Sequence, residues 1–70
     1  MRDPKRIDAY IEQLRAAWKT FPDWRFGQLL SNIVGAIMTR LRRSDVFYIE
    51  DEELFKALDE VTKELLGEEN

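Results

Sequence analysis

Apolar residues recur near the start of the chain at Ile7, Ile11, Leu14 and Trp18, a 4-3-4 spacing. At 100° per residue they draw one stripe about 120° wide, flanked by Tyr10, Ala17 and Phe21, the pattern of an amphipathic helix. Asp3-Pro4 supplies its start: a side-chain acceptor followed by proline at the first helical position, where the missing N–H costs nothing. Pro22 supplies its end, because the residue before a proline is pushed out of helical backbone. These signals predict a helix over residues 4–20.

A second apolar set runs from Phe26 through Leu29, Leu30, Ile33, Val34, Ile37 and Met38 to Leu41. It sweeps about 180° of a helix surface. With Asp23 as N-cap it predicts a helix over 24–41. So broad an apolar face marks this as the central helix, touched by both neighbours. Gly27 in its first turn permits close approach of another helix or an aromatic ring. Gly35 sits mid-pattern at a cost of about 1 kcal/mol relative to Ala, which allows a kink or an early end there. Arg40 falls on the apolar arc, so the helix is expected to have turned, frayed or ended by then.

Arg42-Arg43-Ser44-Asp45 reads as a polar connection. Val46-Phe47-Tyr48-Ile49 is β-branched and aromatic, but a lone strand has no partner in this sequence. The expectation is an extended tether whose aromatics plug the bundle. Asp51 is the next N-cap candidate, followed by two carboxylates in the first turn that complement the helix dipole. Leu54, Leu58, Val61 and Leu65 repeat the 4-3-4 spacing, and Gly67 ends the pattern at the C′ position. This predicts a third helix over 52–66 and a frayed Glu68-Glu69-Asn70 tail. The fold class is all-α: a single domain over 1–70, a three-helix bundle with an extended aromatic tether before helix 3.

The net charge of −3 hides a split. Residues 1–43 carry nine Lys/Arg against four Asp/Glu, whereas residues 44–70 carry two against ten. The halves are expected to attract one another within the fold or across a dimer. At 70 residues the core is marginal unless something reinforces it. No cysteine is present to form a disulfide, so self-association is a reasonable expectation. No apolar stretch approaches the roughly 18 residues of a membrane span, and none follows Met1–Arg6 as a signal peptide requires. A cytoplasmic location and no membrane partner are expected.

Candidate chemistry is narrowed by the residues the chain lacks. There is no histidine and no cysteine, the commonest general base and the strongest metal-binding thiolate. The hydroxyls Thr20, Ser31, Thr39, Ser44 and Thr62 therefore have no imidazole to activate them. Glu50-Asp51-Glu52-Glu53 lacks the interleaved spacing of a calcium loop and is explained by helix capping. Three scattered glycines form no phosphate loop. No enzyme, cofactor or small-molecule substrate is implied.

Binding is the remaining class. Arg25, Gln28, Asn32, Thr39 and Arg43 project to one face of helix 2, opposite the apolar arc. Gln28 and Asn32 are i, i+4 neighbours whose amides can act as one strip. The strip is either a solvated helix face or a partner-binding surface for another protein or a second copy. Trp24 beside it is either a cover over the bundle's end or the hot-spot aromatic of that surface. Phe55 and Leu66, to one side of the helix 3 stripe, serve either the core or a second contact surface. The alternative is a nucleic-acid-binding accessory protein using Arg25, Arg40, Arg42 and Arg43, with helices 1 and 2 as a helix-turn-helix. Against it stands a pI near 4.9, where such domains are normally basic.

Two blocks carry a resemblance: Pro22-Asp23-Trp24-Arg25-Phe26-Gly27-Gln28-Leu29-Leu30-Ser31-Asn32 and Asp45-Val46-Phe47-Tyr48-Ile49-Glu50-Asp51-Glu52-Glu53-Leu54. With the Arg2–Ile7 opening and Trp18, the chain resembles a family of short hypothetical proteins from bacteria and their phages. That family carries a Pro-Asp-x-Arg-x-Gly-Gln-Leu block and an Asp-x-Phe-Tyr-x-Glu-Asp block. The resemblance covers most of residues 2–58 and implies a bacterial or phage cytoplasmic setting. The family has no assigned activity, so no site residue is carried over.

Overall fold

The computed structural model describes residues 2–69, and among these the chain forms three helices and no strand. They are α1 (Arg6–Thr20), α2 (Phe26–Leu41) and α3 (Asp51–Glu69). This is the expected all-α three-helix architecture, with differences at the ends that have local causes.

The α1 helix begins at Arg6 rather than at residue 4, with Lys5 and not Asp3 at the capping position; Asp3 instead shapes the turn ahead of it. Asp3 Oδ1 accepts the Lys5 N–H at 2.9 Å, while the Asp3 and Pro4 carbonyls accept from Arg6 and Ile7 at 3.2 and 3.1 Å. These i→i+3 bonds make a tight turn that feeds the helix. At the other end Phe21 leaves helical backbone ahead of Pro22, with φ −126° and ψ 66°.

Asp23 does not cap α2. The capping position is Arg25, two residues later, in extended backbone. Its N–H donates to Gln28 Oε1 at 2.7 Å, the reach-back half of a capping box. A guanidinium has no acceptor, so the other half cannot form. Gly35 neither kinks nor ends the helix, and Arg40 lies within it. The helix stops one residue after Arg40, in a Schellman turn. Arg42 takes left-handed backbone at φ 55°, with Arg42 N–H on the Thr39 carbonyl (3.3 Å) and Arg43 N–H on the Met38 carbonyl (2.9 Å).

The segment before α3 is a turn, not an extended tether. Asp45 Oδ1 accepts the Phe47 N–H at 3.0 Å and the Val46 carbonyl accepts the Ile49 N–H at 3.2 Å. The turn points Ile49 inward, 7% exposed, and leaves Phe47 and Tyr48 80% and 78% exposed. The aliphatic residue is therefore the plug, and the aromatics stack edge to face on the outside. Asp51 is the first residue of α3, and its carboxylate is engaged by Arg6 at 3.0 Å and Arg2 at 3.4 Å. Gly67 does not terminate α3; the helix continues through it to Glu69. Of the expected frayed tail, Glu68 and Glu69 are helical and Asn70 lies outside the described residues.

The central helix is α3 rather than α2. It packs against both neighbours, while α1 and α2 hardly meet. The core unites Ala17 of α1, Leu29, Ile33 and Ile37 of α2, and Ala57, Leu58 and Val61 of α3. Along α1 the contacts with α3 advance in the same direction: Arg6 with Asp51, Tyr10 stacked on Phe55 at 4.3 Å, then Gln13 Nε2 donating to the Phe55 carbonyl. Arg40, near the end of α2, bonds Glu60 at 2.9 Å and also Glu64. Their carboxylates, Glu60 first, raise the Arg40 pKa above its already high ordinary value. Arg40 sits on the apolar arc because it spans the α2–α3 seam as a fixed cation.

A candidate interaction face on the first helix

The residues singled out on α2 fall into separate environments. Trp24 packs on the core, its ring stacked on Phe21 with centroids 4.1 Å apart and planes 8° from parallel. Its carbonyl accepts Trp18 Nε1–H at 2.9 Å, so the residue ties α1 to the turn that follows. Gln28 holds the Arg25 N–H, which commits one side of its amide to the helix start. Thr39 donates to the Gly35 carbonyl of its own helix at 3.1 Å. Arg25, Asn32 and Arg43 are exposed. The polar strip is a face of α2, but its most interactive members serve the helix itself. Gly27 meets no close neighbour: nothing lies within 4 Å of where a Cβ would stand.

The arginines do not converge either. Arg25 precedes the first turn of α2, and Arg42 and Arg43 follow its last. Sixteen helical residues separate these positions by about 24 Å. Arg40 is occupied by Glu60 and Glu64. At the start of the chain Arg2 and Arg6 face Glu50 and Asp51. Of the nine basic residues of the first half, three, Arg2, Arg6 and Arg40, are thus answered by the acidic half.

A different surface stands out. On α1 most of the expected centre line of the apolar stripe is on the outside: Ile7 is 48% exposed, Ile11 50% and Trp18 38%, while Leu14 is half-buried against the core. Its flank, Tyr10, Ala17 and Phe21, is what α3 and the α1–α2 turn cover. Phe26 of α2, 46% exposed, lies 5.2 Å from Trp18 centroid to centroid, and Leu30 follows one turn on at 41%. Ile11, Leu14, Trp18, Pro22 and Phe26 line a mostly apolar open groove of about 530 Å³, with Arg15 and Lys19 at its rim. Periodicity found every residue of this face on α1 but assigned them to the core. The signal that separates centre from flank is tertiary, namely which edge of the stripe α3 takes.

Among the described residues no three His, Cys, Asp or Glu side chains come together in a metal-binding group, and no helix is long and apolar enough to cross a membrane. Comparison with protein-family models, curated proteins and solved structures finds no match to this chain.

Proposed function

We propose that the protein is a non-enzymatic protein-interaction module that works by associating with further copies of itself. The observation that carries this is the apolar face of Ile7, Ile11, Trp18, Phe26 and Leu30, each 38–50% exposed. From these exposures the face presents on the order of 500 Å² of contiguous apolar surface, at the upper end of what a monomer shows to water.

The size of the molecule points the same way. Its accessible surface is 5523 Å², whereas a compact monomer of 8.3 kDa is expected to expose about 4600 Å². The surplus of about 900 Å² matches one partner's share of a standard-size interface. The radius of gyration, 12.2 Å, likewise exceeds the roughly 11 Å of a compact chain of this length. Because α1 and α2 hardly touch, the protomer keeps a surface that a bundle of ordinary compactness would bury.

Sedimentation equilibrium from about 1 μM to about 1 mM, the range of moderate and weak affinities, tests this reading. The mass is expected to rise with concentration, and the thermal midpoint with it. A strict 8.3 kDa monomer across the whole range refutes it.

A further inference from the structure

We infer that a second copy of this chain docks antiparallel against α1, about a two-fold axis passing between Ile11 and Leu14; the inference rests on the self-association reading above. The pattern along one edge of the α1 apolar stripe carries it. Asp8, Glu12, Arg15 and Lys19 follow one another at 4-3-4 spacing, in step with Ile7, Ile11, Leu14 and Trp18, and all four are exposed. The edge is acidic in its first half and basic in its second.

The opposite edge is already taken. Tyr10 is stacked on Phe55 and Ala17 is 4% exposed against α3. In a parallel helix pair each edge meets the opposite edge of its neighbour. That arrangement would drive the charged edge of one copy into the place α3 occupies on the other. In an antiparallel pair like edges meet, so the charged edge faces its own copy and the two α3-covered edges lie together on the other side of the seam.

Antiparallel pairing also resolves the charges. Reversing the second helix sets Asp8 and Glu12 of one copy against the second copy's Lys19 and Arg15, and two-fold symmetry repeats the match. The apolar stripe pairs about an axis one residue, roughly 1.5 Å, away, a shift the long charged side chains span: Ile7 meets the second copy's Trp18, and Ile11 meets its Leu14. Within one protomer Glu12 and Arg15 are 3.2 Å apart, a bond that exposed side chains exchange at little cost. An isologous contact of this kind closes at two copies and does not propagate.

Charge reversal tests the arrangement without disturbing the core. A variant carrying Asp8→Lys and Glu12→Lys has a wholly basic edge, and one carrying Arg15→Glu and Lys19→Glu a wholly acidic one. Each alone is expected to sediment as a monomer, and an equimolar mixture to recover the dimer mass. Circular dichroism verifies that both remain helical. Ile11→Gln, at a half-exposed position, probes the same surface with no change of charge and is expected to be monomeric. If the unaltered protein never associates, the functional reading itself fails. If it forms dimers and the charge variants or Ile11→Gln form them as tightly, the surface is wrong and self-association stands. Charge variants that are monomeric alone and in the mixture overturn the antiparallel pairing.

Discussion

Single residues in this protein act through backbone as much as through contacts. Arg42 holds left-handed backbone at φ 55°, where a Cβ crowds the chain and glycine does not. Arg42→Gly is expected to stabilise the protein by roughly 0.5–1 kcal/mol, the relief of strain outweighing the extra freedom of glycine in the unfolded chain. Thermal unfolding should register it as an upward shift of a few degrees. The loop before α3 separates two kinds of apolar residue. Ile49→Ala removes a buried side chain and is expected to cost about 2 kcal/mol or more. Phe47→Ala, at an 80% exposed site, should change stability by less than about 0.5 kcal/mol. Urea titration of the two variants gives the comparison, and equal losses would mean that the aromatics do plug the bundle. The residue types in this loop announced an apolar plug. Which of them fills it depends on the Asx turn at Asp45, a geometry that composition does not specify.

At the scale of the element, start and stop signals act independently of one another. Pro22 ends α1 as the sequence predicts, because it works through a clash with the residue before it, whereas Asp3 acts only in the turn ahead of the helix. Glycine is a weaker stop. Gly35 and Gly67 both sit in continuous helix with open space where a Cβ would project. A helix end needs a residue beyond it that prefers to leave, and neither glycine has a positive φ. Gly35→Ala is therefore expected to stabilise α2 by about 1 kcal/mol, read as a higher urea midpoint at unchanged slope. A loss of stability instead would show that a neighbour needs the missing side chain. At the start of α2 the acceptor is Gln28, three residues inside, which a search for Asp or Ser ahead of the pattern passes over.

For the whole molecule, the uneven charge of the sequence becomes a set of ties between its halves. Arg2 and Arg6 reach Glu50 and Asp51, and Arg40 reaches Glu60 and Glu64. All are partly or well exposed, so they orient helices more than they hold them together. Arg40→Gln is expected to lower the thermal midpoint slightly in dilute buffer. In about 1 M salt, where the screening length shrinks to a few ångströms, the difference from the unaltered protein should largely disappear. A deficit that survives high salt would assign Arg40 a packing role through its aliphatic stem. The same scale holds the reason for the exposed face on α1. With α3 as the hub and α1 and α2 on separate parts of it, α3 covers one edge of the α1 stripe and reaches Leu14 but leaves Ile7, Ile11 and Trp18 largely open. What remains uncovered is the surface proposed for self-association.

The sequence by itself determined the three helices, their order, the ends of α1 and α2 and the attraction between the two halves of the chain. Each of these follows from caps, prolines, periodicity or charge, which act over a few residues or over none in particular. Only the tertiary structure decided that α3 and not α2 is the hub, that Tyr10, Ala17 and Phe21 are covered while Ile7, Ile11 and Trp18 face outward, and that Ile49 displaces Phe47 and Tyr48 from the interior. Periodicity defines an apolar face relative to a helix's own axis. Which part of that face a neighbour covers is set by the joint packing of all three helices, and no single stretch of chain encodes it.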